Sequence, residues 1–142
     1  MQLVVEVEGE GEQAPLPGGG EALVALMSFS VVRGFGAQHP LIALADRLQA
    51  EHRVRLGPLT TFYEATIEDS EDAEKLEQAW QDAGELRDTL QGVATALRAD
   101  PQAQVLVERA SARDLPSQVT ALLVPVAKAA NEGKRVRLSY VL

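Results

Sequence analysis

Leu76, Ala79, Ala83, Leu86, Leu90, Val93 and Leu97 are separated by 3, 4, 3, 4, 3 and 4 residues. That spacing puts all seven on one stripe of an α-helix, and no other feature limits the fold as tightly. Trp80 and Ala94 flank the stripe and widen it. Asp69 or Ser70 can cap the start, and Glu71 and Asp72 suit the positive end of the helix dipole. Asp100-Pro101 marks the end. A helix over 69–99 would reach roughly 45 Å at a rise of about 1.5 Å per residue. A compact chain of this length is only about 37 Å across. The helix must therefore break, Gly84 being the natural place, or project towards a partner.

The outward face of this helix is acidic. Glu71, Asp72, Glu74, Glu77, Asp82, Glu85 and Asp88 stand against Lys75 and Arg87. The charge is uneven along the chain: residues 1–100 hold 18 acidic and 7 basic side chains, residues 101–142 hold 3 and 6, and the net is −8. Such a balance is repelled by phosphate backbones, which disfavours nucleic acid or an anionic membrane as partner. There is no cysteine, which excludes disulfides, thiolate metal sites and thiol nucleophiles. Met1-Gln2-Leu3-Val4-Val5-Glu6 lacks the basic start of a signal peptide, and Ala22–Val32, the longest apolar stretch, is too short to span a bilayer. A cytoplasmic protein is expected.

Elsewhere the pattern alternates between strand and helix. Residues 2–8 read as a strand, and 9–20, with its glycines and prolines, as a flexible loop. Residues 21–33 are an apolar run that periodicity assigns to neither helix nor strand, a buried helix being the favoured reading, and Pro40 opens a helix that runs to about His52. Arg53-Val54-Arg55-Leu56 alternates like a strand. Residues 59–67 fit strand or helix. Gln104–Glu108 reads as a strand, Leu115–Pro116 opens a helix with Pro125 inside it, Asn131-Glu132-Gly133 stops it, and residues 134–141 form the last strand. One α+β domain follows, a small mixed sheet of about four strands covered by helices. Gln2–Glu6 echoes Gln104–Glu108, and Arg53–Leu56 echoes Arg135–Leu138. Two βαβ halves would make the outline ferredoxin-like, with the long helix between them; short Val/Leu-rich strands also look alike by chance.

No spacing names a reaction, a cofactor or a metal. Only His39 and His52 are present, so a three-histidine zinc site is impossible. Gly18-Gly19-Gly20 lacks the lysine and hydroxyl of a phosphate loop. The first reading is a non-catalytic interaction or assembly module, joined to a protein partner or a second copy through the acidic helix. Its contact residues would be Leu76, Ala79, Trp80, Ala83, Leu86 and Leu90. The alternative is a binder of small molecules or anions, or an enzyme, using the loop from Arg33 to His39. There Gly34 and Gly36 permit close backbone approach, Arg33 could hold an anion and His39 could move a proton. Arg53 and Arg55 would share one strand face, as would Arg135 and Arg137. If those strands were neighbours, four guanidiniums would line one surface, able to bind an anion or to face the acidic helix.

Overall fold

The computed structural model of the chain describes residues 1–31 and 39–142. In chain order the strands are β1 (Gln2–Val7), β2 (Gly11–Glu12), β3 (Phe62–Glu64), β4 (Trp80–Asp82) and β5 (Arg135–Val141). The helices are α1 (Glu21–Ser30), α2 (Pro40–Ala50), α3 (Gly57–Thr60), α4 (Ser70–Gln78), α5 (Ala83–Ala99), α6 (Pro101–Arg109) and α7 (Leu115–Asn131).

The last strand organises the sheet. β1 runs antiparallel along one edge of β5, with Val7 opposite Val136 and Gln2 opposite Val141. The other edge is shared: β4 pairs antiparallel with Arg135–Arg137, and β3 pairs parallel with Leu138–Tyr140. β2 extends the sheet beyond β1. The alternation read in 2–8 sends Leu3, Val5 and Val7 to one face, where they join Val136 and Leu138 in the aliphatic core. α1 and α7 pack on that face, α5 lies along α7, and α2 and α6 close the outside. The mixed sheet covered by helices matches the expected α+β class. No described helix is long and apolar enough to cross a membrane.

The long helix breaks, but before Gly84. α4 ends at Gln78, and Trp80–Asp82 leaves the helix to pair with β5. Asp82 then caps α5, its carboxylate accepting from the Gly84 amide. Gly84 is thus in a first turn, where its low helix propensity matters little. The hydrophobic spacing stays in phase across the interruption, so periodicity alone could not reveal it. The stripe also serves two places. Ala83, Leu86, Leu90, Val93 and Leu97 are in the main core, whereas Leu76 and Ala79 are buried apart from it.

Two expected strands are absent. Residues 104–108 belong to α6: Asp100 accepts from the Gln102 amide, Pro101 takes the first turn, and Gln104 donates to the carbonyls of Leu97 and Arg98. Its inward positions, Ala103, Leu106, Val107 and Ala110, follow a helical period that the alternating Gln-Val-Leu-Val-Glu obscured. Residues 53–56 do alternate, with Val54 and Leu56 buried and Arg53 and Arg55 exposed, but they pair with no strand. The ferredoxin-like outline needed both segments in the sheet and does not hold.

Candidate functional site

Residues 53–56 form a strap laid along α5, fixed at nearly every residue. The Val54 amide donates to the Leu48 carbonyl at 2.9 Å. The Val54 side chain sits in a notch at Gly92, where a Cβ would come within 3.0 Å of Val54 Cγ2. The Thr89 hydroxyl donates to the Arg55 carbonyl at 2.6 Å. Arg53 is held at φ 53°, a left-handed conformation that costs a non-glycine residue roughly 1–2 kcal/mol.

The upstream end is anchored by an ionic cluster. Asp100, only 6% exposed, accepts from Arg47 Nε at 2.6 Å and Arg47 Nη2 at 3.2 Å, and lies 2.7 Å from His52 Nε2. The Arg47 bonds, then the His52 bond, hold the Asp100 carboxyl well below the ordinary aspartate range, outweighing the opposite effect of burial. One carboxylate thereby joins the end of α2, the turn before the strap and the first turn of α6.

Between strap and helix lies a cleft of about 660 Å³. His52, Arg53 and Arg55 line it from the strap, Thr60 and Thr61 from α3 and the residue after it, and Gln81, Glu85 and Asp88 from β4 and α5. Gln81 Nε2 donates to the Pro58 carbonyl at 2.9 Å and ties β4 to α3. Among the described residues, neither arginine of the strap takes part in an ion pair, and neither does Glu85. Asp88 meets only Arg87, at 3.2 Å.

The other sequence candidates have different surroundings. Arg33, Gly34 and Gly36 lie outside the described residues. His39 caps α2: its Nδ1 accepts from the Leu41 amide at 3.1 Å, and its ring stacks on Phe29 at 4.0 Å. The four arginines do not form one surface. Arg135 is paired with Glu8 at 2.7 Å, holding that carboxyl below its ordinary range. Arg137 binds Glu6 through Nε and Nη2, donates to the Leu76 carbonyl through Nη1, and lies 4.7 Å from the Trp80 ring centroid. Both are committed to the sheet, and only Arg53 and Arg55 reach the cleft. Of the proposed contact residues, Leu76, Ala79, Ala83, Leu86 and Leu90 are buried within this chain, and Trp80 is half-buried beneath Arg137.

Sequence reading missed His52, Thr60, Thr61 and Gln81 as neighbours of the strap arginines, and it allowed the arginines to face the acidic helix without singling out Glu85 and Asp88. A signal existed: Glu85, Asp88, Thr89 and Gly92 follow the i, i+3, i+4, i+7 spacing of one helix face. That face carries a glycine and a threonine where a plainly solvated face would carry long polar side chains. Among the described residues, no cluster of three metal-capable side chains occurs. Comparison with protein families, with curated proteins and with solved structures finds no match to this chain.

Proposed function

We propose that this protein binds a small molecule through an anionic group held by Arg53 and Arg55. The observation that carries this reading is the strap. Among the described residues, it places two guanidiniums without ion-pair partners at one cleft, on a backbone anchored by Asp100, Gly92 and Thr89 and strained at Arg53. Strained backbone held in place by its surroundings is commoner at binding sites than elsewhere. Arginine presents a planar fork of donors that matches a carboxylate or phosphate. Among the described residues, eight of the twelve Lys and Arg side chains are in ion pairs, and Arg53, Arg55, Arg98 and Arg109 are not.

Amide chemical shifts during titration with succinate and with inorganic phosphate test the reading. Shifts confined to residues 52–61 and 81–92, and lost in an Arg53→Ala, Arg55→Ala double variant, are the expected result. The two side chains are exposed, so that variant should stay within about 0.5 kcal/mol of the parent stability. Shifts scattered over the surface, or unchanged in the variant, would sink the proposal.

An assembly role would act through a different surface. Glu71, Glu74 and Glu77 are exposed on α4, where Lys75 reaches only Glu71, at 3.7 Å. A basic protein partner suits that face. Light scattering across concentrations checks self-association, and Glu74→Lys with Glu77→Lys should abolish capture of a basic partner.

A further inference from the structure

We infer that the ligand of the cleft is a small zwitterion, with a carboxylate at one end and a protonated amine at the other. This rests on the anion-binding reading and adds the ligand class. The argument comes from which hydrogen-bonding groups the cleft has left to offer.

The strap runs alongside α5 in the opposite sense. Val54 meets Gly92, the Arg55 carbonyl meets Thr89, and Pro58 meets Gln81, just before the helix begins. The cleft therefore has two distinct ends. Arg53 precedes Val54 at the Gly92 end and Arg55 stands level with Thr89, and their side chains, which line the cleft, have only donors and demand acceptors. Near Gln81 the balance reverses. Thr60 and Thr61 each have one hydroxyl proton, and both donate it to the Gly57 carbonyl, at 2.8 and 3.2 Å. What they can offer a ligand is lone pairs. Gln81 spends one of its two amide hydrogens on Pro58 and offers Oε1 as an acceptor beside the remaining N–H. The Glu85 carboxylate lies one turn along, and Asp88 follows. This end demands donors, and the adjoining carboxylates favour a positive charge.

A simple anion would satisfy the arginines and leave the exposed acceptor end to water. A zwitterion satisfies both. From Glu85 to Gly92 is seven residues of helix, roughly 10 Å at about 1.5 Å each. A separation of that order along the cleft suits an ω-amino acid with several methylenes better than an α-amino acid with adjacent charges.

Calorimetric titration of the full chain with 4-aminobutyrate, 6-aminohexanoate and 8-aminooctanoate provides the test, with hexanoate and hexylamine as half-ligands. One of the longer zwitterions should bind at least tenfold more tightly than hexanoate. Glu85→Gln with Asp88→Asn should remove that advantage and leave hexanoate binding intact, and Arg53→Ala with Arg55→Ala should remove both. Equal affinity for hexanoate and the zwitterions, insensitive to the acidic variants, would overturn the inference while the anion-binding reading stands. No zwitterion binding at millimolar concentration would also overturn it. The broader reading is decided separately by the succinate and phosphate shifts.

Discussion

Asp100 shows how one buried carboxylate can organise three segments that the sequence keeps apart. It has the two Arg47 bonds, the His52 bond and the cap of α6, all at one side chain. Its carboxyl is held below the ordinary aspartate value, first by Arg47 and then by His52. The folded state therefore holds fewer protons than the unfolded chain around the ordinary carboxylate pKa of about 4. This contribution to stability is complete above that value and is lost as pH falls towards the folded-state one. Asp100→Asn should be less stable than the parent at neutral pH and should lose stability less steeply between about pH 5 and pH 3. Urea unfolding at several pH values checks both. The slope should not vanish, because Glu8 and Glu10 are also held below their ordinary range by Arg135 and Lys134.

At the scale of elements, the apolar stripe from Leu76 to Leu97 is interior. Leu86 is fully buried in the core. Leu86→Asp should therefore unfold the chain rather than release a folded monomer from an assembly, since a buried unpaired charge costs roughly 3–5 kcal/mol. Circular dichroism distinguishes the outcomes. The same elements show what was legible beforehand. α2, α7, β1 and β5 could be read because apolar spacing, a proline start or a glycine stop agreed with the final contacts. The segments at 53–56 and 104–108 were misread for a common reason. Alternation reports which side chains are buried, and it is silent about where the backbone amides and carbonyls find partners. Here those partners are helix hydrogen bonds in one segment, and Leu48 and Thr89 in the other. The site was half legible: the exposed Arg53 and Arg55 could be read as anion-binding candidates, but their companions on α5, about 30 residues further on, are met only through the fold.

Across the whole molecule, stability should be uneven. α5 and α7 make the most extensive helix contact in the described fold, whereas α4 touches mainly the short strands β3 and β4 and buries little beyond Leu76. Amide hydrogen exchange should accordingly release α4 well before α5, α7 and the β1–β5 pair, which should open only with global unfolding. Equal protection of α4 and α5 would count against this division. The sheet has a temporal consequence as well. β5 is paired with β1, β3 and β4, and it follows all of them in the chain. During synthesis, at about 5–20 residues per second, helices can form while the earlier strands still have no central neighbour. The backbone edge of β1 that β5 covers has no partner until residues 8–134 have been made. Cells producing this chain would therefore carry a nascent form with an open β edge for several seconds, and the addition of one strand brings that exposure to an end.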